Sequence, residues 1–188
     1  SEYLSLVANT IAGNNGDGVY LPGGTNHLLD NNLIARNGGD GIEWGWGSGV
    51  LRHNTLSGNS GDSGLRVTGS ASLVLTNTII ANQAYGIRTT DASASVQADH
   101  TLWYNNGDDT AAYGGVNIAT SSDLYGDPAF VGIGEAFTAY HIGADSAAID
   151  AGADAGLDTD IDGQRRAPDI GADEYPYALS LTPDHQLT

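Results

Sequence analysis

Short apolar segments recur along residues 9–105, and four of the five begin directly after an asparagine. The first runs from Asn9 to Asn14 and the second from Asn32 to Asn37, with a β-favouring triplet after the leading asparagine. Five copies follow one another at steps of 22 or 23 residues. The aligned positions are Asn9, Asn32, Asn54, Asn77 and His100, and then Asn14, Asn37, Asn59, Asn82 and Asn105. A fixed period of this size predicts a solenoid, in which stacked repeats share one core.

Two further segments in each repeat alternate apolar and variable positions, which is the period of a β-strand. One follows a glycine, and its predicted inward residues are Val19, Ile42, Leu65 and Ile87. Its predicted outward column is Tyr20, Glu43, Arg66 and Arg88. The other precedes the next repeat and contains Leu28, Val50, Leu73 and Val96. Three strands and three bends per repeat predict an all-β fold, a right-handed parallel β-helix of about five coils over residues 1–119.

Asparagine suits the bends of such a coil because it tolerates left-handed backbone conformations and bonds to nearby main chain. When one asparagine lies above another, each side-chain amide can donate to the next. We therefore expect two internal ladders at the aligned positions. His100 is expected to replace asparagine in the first ladder, and a catalytic role for His100 is the alternative interpretation.

Composition and charge limit the partners of the chain. Its 188 residues predict about one domain, with six arginines, no lysine and a formal net charge of −17. Nucleic acid and anionic membrane surfaces are therefore not expected partners, because both repel an acidic protein. No apolar run is long enough to predict direct membrane insertion. The chain begins within a repeat and without methionine, which indicates a piece of a larger protein.

A different series of motifs begins where the repeat fades. In chain order they are DPAF at 127–130, YHI at 140–142, SAAIDAG at 146–152, DIDGQRR at 160–166 and DIGADEY at 169–175. Over residues 9–175, the coils followed by these motifs resemble the secreted bacterial β-helix proteins of the "choice-of-anchor Q" type. The resemblance implies an extracellular or cell-surface location, in proteins that are commonly large and multidomain.

The motif region, residues 120–175, is expected to form an acidic C-terminal capping segment. The last coil of a β-helix exposes both a strand edge and the end of its apolar column. The residues expected to cover that end are Phe130, Ile142, Ile149 and Ile170. Residues 176–188 are polar and contain Pro176 and Pro183, which indicates a linker to a further domain.

One stretch of this segment matches the first half of an oxygen-ligand calcium loop, D-x-D-x-D-G, ending at Gly163. The predicted calcium ligands are Asp158, Asp160, Asp162 and Asp169. Carboxylates at alternate positions repel one another unless a cation or an arginine neutralises them. The alternative interpretation is an acidic turn paired with Arg165 and Arg166.

No catalytic residue is predicted. Lyases that act on uronates need a strong base, and the chain has no lysine, while Glu43 and Arg66 are expected to form an ion pair one coil apart. Asp108 and Asp109 are adjacent carboxylates without the companions of a glycosidase site. Exposed aromatic rings can stack on sugars, so Tyr20, Trp44 and Trp46 form a candidate carbohydrate strip.

Together these features predict a non-enzymatic extracellular or cell-surface module for structure, adhesion or assembly. Its expected partners are a second copy of the chain, bound end to end through an open coil edge, or surface glycans. A domain that binds or degrades polysaccharide is the alternative. The repeat by itself does not decide between them, because one scaffold hosts many functions.

Overall fold

The computed structural model describes residues 3–112, 117–134 and 139–176, and within these ranges the chain forms strands but no helix. Three parallel sheets make up the three faces of a solenoid. Successive strands of the chain contribute to sheet 1, sheet 2 and sheet 3 in turn, and each pairs with the strand one coil away. The predicted all-β solenoid of about five coils is confirmed.

Sheet 1 lies on the core with one face and meets solvent with the other. Its strands are β1 (Ser5–Val7), β4 (His27–Asp30), β7 (Gly47–Arg52), β10 (Ala71–Thr76), β13 (Ser95–Asp99) and β16 (Asn117–Ser121). In β10 the side chains of Leu73 and Leu75 are buried, whereas Val74 between them is exposed. This alternation is typical of a sheet covered on one side.

Sheet 2 is buried on both faces over its middle strands. Its strands are β2 (Thr10–Ala12), β5 (Leu33–Ala35), β8 (Thr55–Ser57), β11 (Ile79–Ala81), β14 (Leu102–Tyr104) and β17 (Leu124–Tyr125). Every residue of β5, β8 and β11 is buried. Ile34, Leu56 and Ile80 point into the solenoid core, so another part of the chain must cover their outward neighbours.

Sheet 3 follows the predicted alternation at the three aligned positions of its first four strands. Its strands are β3 (Val19–Leu21), β6 (Ile42–Trp44), β9 (Ser63–Val67), β12 (Tyr85–Thr89) and β15 (Asp108–Ala112). The predicted inward residues are all buried, namely Val19, Ile42, Leu65 and Ile87. The predicted outward residues are in register from coil to coil, namely Tyr20, Glu43, Arg66 and Arg88. Both predictions for this sheet are confirmed.

One extra residue enters the solenoid between β9 and β10. Trp44 pairs with Val67, 23 positions later, but Gly47 pairs with Ala71, 24 positions later. The turn at residues 68–70 therefore has one residue more than the equivalent turn of the preceding coil. The next strand of sheet 2 is shifted in the same way, since Thr55 pairs with Ile79, 24 positions later, so Asn77 lies one position before the place that Asn54 occupies.

The C-terminal segment, defined here as residues 126–176, packs along the side of the solenoid. Its Ile142, Ala148 and Ile170 are buried against Ile79, Ala81 and Leu102 of sheet 2. Its Ala139 and Tyr140 are buried with Leu33 and Ala35. The segment covers the outward face of sheet 2 over several coils, where apolar residues would otherwise meet water, and a cap over the end of the last coil stays a prediction.

The coil pairing continues beyond residue 119, since β16 pairs with β13 and β17 pairs with β14. Residues 177–188, nearly all of the predicted linker, lie outside the described residues. In the described ranges, no helix has the length and hydropathy needed to cross a bilayer.

Candidate functional site

Two asparagine ladders run inside the first three coils. In the first, Asn9 Nδ2 donates to Asn32 Oδ1 and Asn32 Nδ2 donates to Asn54 Oδ1, both at 3.1 Å. In the second, the corresponding bonds join Asn14, Asn37 and Asn59, each at 2.9 Å. Four of these residues are almost fully buried, namely Asn32, Asn37, Asn54 and Asn59. Each ladder amide replaces water with protein partners inside the core, as buried polar groups require.

The later coils place different residues at the ladder positions because of the extra residue in the turn. Asn77 and His100 occupy the left-handed corner one position earlier, with φ of 54° and 51°, and Thr78 and Thr101 follow them into the core. Asn82 and Asn105 likewise occupy a left-handed corner, where Asn105 Nδ2 donates to Asn82 Oδ1 at 2.8 Å. The expected bond between Asn82 and Asn105 is therefore present, but at the corner, whereas Asn77 donates to His53 and Ala153 and does not continue the first ladder.

The second ladder position in the fourth and fifth coils is held by Gln83 and Asn106. Asn106 Oδ1 accepts from the main-chain N–H of Gln83 at 3.1 Å, as Asn37 Oδ1 does from Asn14. The side-chain amide of Gln83 is buried and has no hydrogen-bond partner among the described residues. Its additional methylene carries the amide past the point where an asparagine would continue the ladder.

The corner between sheets 1 and 2 binds the main chain of the C-terminal segment. Asn31 Nδ2 donates to Thr159 O at 2.7 Å. Asn77 accepts from the N–H of Ala153 at 2.9 Å and donates to its carbonyl oxygen at 2.6 Å. His53 contacts Asp169 O through Nδ1 at 3.2 Å. Side chains at three successive corners thus form hydrogen bonds with main-chain groups of the C-terminal segment.

His53 is held as a neutral imidazole in this corner. Its Nδ1–H donates to the Asp169 carbonyl, so Nε2 is the acceptor for Asn77 Nδ2 at 2.9 Å. Burial lowers the pKa of His53 from 6.5 to about 3, and the nearby Arg166 guanidinium acts in the same direction. At neutral pH, His53 is therefore uncharged and serves as a structural hydrogen-bonding group.

A buried ion pair fixes the end of the C-terminal segment. Arg166 Nη1 donates to Glu174 Oε1, and the two side chains are only 2% and 3% exposed. Arg166 Nη2 also donates to Asn31 Oδ1 at 2.7 Å and so joins the segment to the coil. Glu174 accepts further bonds from the main-chain N–H groups of Ala167 and Asp169, both at 2.9 Å.

The predicted calcium ligands have separate environments. Asp160 is buried, and its carboxylate accepts main-chain N–H bonds from Asp162, Gln164 and Glu174. Asp169 is also buried, and its two oxygens accept from the N–H groups of Asp150 and Tyr175, both at 2.7 Å. Burial raises the pKa of Asp169 to about 6.

Asp158 and Asp162 remain exposed. Two groups of side chains in the described ranges could hold a metal ion, and Asp162 belongs to one of them together with His141 and Asp173. The other group is Asp17, Asp40 and Glu43 on sheet 3. Neither group includes Asp158, Asp160 or Asp169. Calcium binding remains a prediction, and the geometry brings only Asp162 of the four predicted ligands into such a group.

The outward column of sheet 3 forms ion pairs between coils. Arg66 Nη1 lies 3.3 Å from Glu43 Oε2 and 3.5 Å from Asp40 Oδ2, which includes the predicted Glu43–Arg66 pair. Arg88 pairs with Asp62 at 2.8 Å. Asp40 is buried, but the Glu43–Arg66 and Asp62–Arg88 pairs are partly exposed, so each of these two contributes only about 0–1 kcal/mol to stability.

The three residues of the predicted carbohydrate strip have different exposures. Trp44 is fully buried and packs edge-on against His27, with ring centroids 5.4 Å apart, so its assignment as a sugar contact is wrong. Tyr20 and Trp46 are 61% and 56% exposed. The Trp46 ring lies directly over Gly23, where a Cβ would approach Cε2 to 2.0 Å. The lack of a side chain at Gly23 therefore lets the indole lie against the coil.

Sequence reasoning missed the docking residues Asn31 and Arg52, although a signal for the docking was present. Arg52 pairs with Asp30 and donates through Nη1 to Ala155 O at 3.0 Å. The triplets Leu33-Ile34-Ala35 and Ile79-Ile80-Ala81 are apolar throughout instead of alternating. Continuous apolar strands are typical of sheets buried on both faces, so they indicate that sheet 2 is covered.

Comparisons with known proteins agree with the coil architecture. A family model described as "right handed beta helix region" matches residues 1–128, which is more than half of the chain. No curated protein and no solved structure matches the chain. The matched region contains all seventeen strands of the three sheets. The chain therefore belongs to the right-handed β-helix family.

Proposed function

We propose that the chain is a non-enzymatic β-helix module of the choice-of-anchor Q type, placed outside the cell or on its surface. Its role is structural or adhesive, and it assembles end to end. The order of the motifs between residues 127 and 175 supports the location outside the cell or on its surface. The observation that carries the assembly is the open edge of the stack: within the described chain, β1, β2 and β3 pair on one side only, as do β15, β16 and β17.

The chemistry of the buried groups supports a structural role. Asp160, Asp169 and Glu174 are acids that accept main-chain N–H bonds, and His53 is neutral between an amide and a carbonyl. Groups held in this way fix the C-terminal segment on the coils.

End-to-end assembly predicts a specific effect of charge at the first coil. Val7 in the edge strand β1 is 53% exposed, whereas Val74 in the central strand β10 is 40% exposed. Val7→Lys should lower the self-association constant about tenfold or more, because it places a solvated charge at the pairing edge. Val74→Lys adds the same charge elsewhere on sheet 1 and should have little effect.

Light scattering and sedimentation over a range of protein concentrations provide the measurement. The proposal is supported if the average mass of the wild type rises with protein concentration, and if this rise is smaller for V7K than for V74K. A monomer at every concentration, or equal effects of the two variants, contradicts it.

Glycan binding is the second candidate function, and the exposed pair Tyr20 and Trp46 favours it. Both rings are on the solvent side of neighbouring coils, and Trp46 is seated on Gly23. Aromatic rings provide large, rigid contact area at small entropic cost, which suits the apolar face of a sugar.

A glycan array, followed by titration of any glycan that binds, tests this second function. Trp46→Ala should weaken binding about tenfold, whereas Tyr125→Ala, which removes a 73% exposed ring from the last strand of sheet 2, should leave it unchanged. Equal binding by W46A would remove the assignment. Release of unsaturated products from uronate polymers would instead show a degrading activity.

A further inference from the structure

The arginines of this acidic chain are mostly paired with acids. Arg52, Arg66, Arg88 and Arg166 each form an ion pair with an aspartate or glutamate. Arg36 makes no ion pair with any acidic side chain that the structure describes. The chain has 23 acidic residues and six arginines, so an arginine without an acidic partner is unusual in this protein.

Arg36 also occupies a backbone position that does not suit arginine. It lies at the corner after β5 with φ of 55°, in the left-handed region. The equivalent corners of the other coils are occupied by residues that tolerate this conformation, namely Gly13, Gly58, Asn82 and Asn105. An ordinary side chain there costs about 1–2 kcal/mol. The turn does not require arginine, and a strained residue of this kind points to a role for its side chain.

The Arg36 side chain lines a cavity of about 500 Å³ between the coil corner and the C-terminal segment. The other residues lining it are Ser57, Gly58, Asn82, Ile133 and Tyr140. A volume of this size is in the range of small-molecule sites. Tyr140 packs edge-on against Phe130, with centroids 5.3 Å apart, which holds this wall in place.

The electrostatics of the cavity favour an anion. Burial raises the pKa of Tyr140, and the positive charge of Arg36 opposes that shift, so the guanidinium acts on this wall of the cavity. The guanidinium group offers paired N–H donors that match a carboxylate. Asn82 donates one N–H to Ser57 Oγ at 3.3 Å, which leaves its second N–H for a ligand.

We propose that this cavity binds a small carboxylate with a hydroxylated ring, which is the chemistry of a sugar acid. Arg36 binds the carboxylate, Asn82 donates to a ring hydroxyl, and Ile133 and Tyr140 contact the ring. The ligand is either a free sugar acid or a residue within an acidic glycan. This site is distinct from the open coil edges and from Trp46. Its test is therefore independent of the tests of both functions proposed above.

Isothermal titration of the whole chain with glucuronate, and with glucose as the neutral analogue, tests the site. Glucuronate should bind and glucose should not, and added salt should weaken the binding. Arg36→Asn removes the charge and keeps a residue suited to the left-handed corner, so the variant should fold with unchanged or higher melting temperature. Its affinity for glucuronate should fall at least tenfold. Arg165→Asn, which removes an exposed arginine elsewhere, should bind as the wild type does.

A glucuronate-containing oligosaccharide distinguishes the two sources of the ligand. Tighter binding of the oligosaccharide than of glucuronate, lost in R36N, assigns the cavity to a residue within a glycan, and equal binding assigns it to the free acid. The proposal is overturned if neither compound binds, if glucose binds as well as glucuronate, or if folded R36N retains wild-type affinity.

Discussion

Replacing Arg166 with leucine should lower the free energy of unfolding by about 3–5 kcal/mol, since removing one partner of a buried ion pair leaves the other charge uncompensated. Glu174 would keep its two main-chain donors but lose the guanidinium, with Asp160 and Asp169 nearby. Arg166 also donates to Asn31 Oδ1 and to the carbonyls of Gly171 and Ala172. We therefore expect the C-terminal segment to be released from sheet 2.

Urea denaturation and limited proteolysis measure the two effects of R166L. The neighbouring Arg165 provides a matched control, because it is exposed and forms no ion pair with a described residue. Arg165→Leu should change stability by less than about 0.5 kcal/mol, as for most surface substitutions. Equal stability of R166L and R165L, with the segment equally resistant to protease, would show that the buried pair does not hold the segment.

The contribution of His53 to the stability of the wild-type protein should fall below pH 6.5. In the unfolded chain this imidazole takes up a proton near its ordinary pKa of 6.5, whereas in the folded protein burial lowers the pKa to about 3. At this residue the unfolded state therefore binds more protons between these values, and the contribution of His53 to stability decreases as the pH decreases. At 1.36 kcal/mol per pH unit, the loss is about 2 kcal/mol at pH 5.

Comparison with His53→Asn isolates this contribution. Asparagine occupies the equivalent left-handed corners at Asn31 and Asn77, so the backbone should accept it. Burial raises the pKa of Asp169 and Asp173 to about 6, and these groups act with the opposite sign: their contribution is present at low pH and lost as the pH rises through 6. Both acids are present in either protein, so the difference between the two unfolding curves reports on His53.

The unfolding free energies of the wild type and H53N should converge by about 2 kcal/mol between pH 7 and pH 5. His100→Asn retains His53 and replaces a more exposed histidine of the same corner column, so it should follow the wild-type curve. Parallel curves for the wild type and H53N over this range would show that His53 is not held neutral.

Much of the solenoid follows from local rules that act within one repeat. The alternation of Val19, Tyr20 and Leu21 predicts which side of a strand faces the core, since side chains of a strand point to opposite faces in turn. Glycine before the strand and asparagine at the bends identify the corners. These signals predict three strands, three bends and the outward register of Glu43 and Arg66.

The docking of the C-terminal segment depends on contacts between residues that are far apart in sequence. Asn77 meets Ala153, and Thr55 meets Ala172, at separations of 76 and 117 positions. The motif 169–175 contains buried acids at Asp169, Asp173 and Glu174, yet their pattern resembles that of an exposed acidic turn. Most of their hydrogen-bond partners are main-chain N–H groups, which every residue except proline carries and which no motif can identify.

The sequence by itself determined that this chain winds as a parallel β-helix, because the repeat and its alternation are local and occur five times. Only the tertiary structure decided which asparagines form ladders, since asparagine suits both the ladder position and the left-handed corner beside it. One extra residue at 68–70 exchanges these two positions for Asn77 and Asn82. The tertiary structure also decided that the last segment covers the side of sheet 2, because burial there depends on a face assembled from several coils.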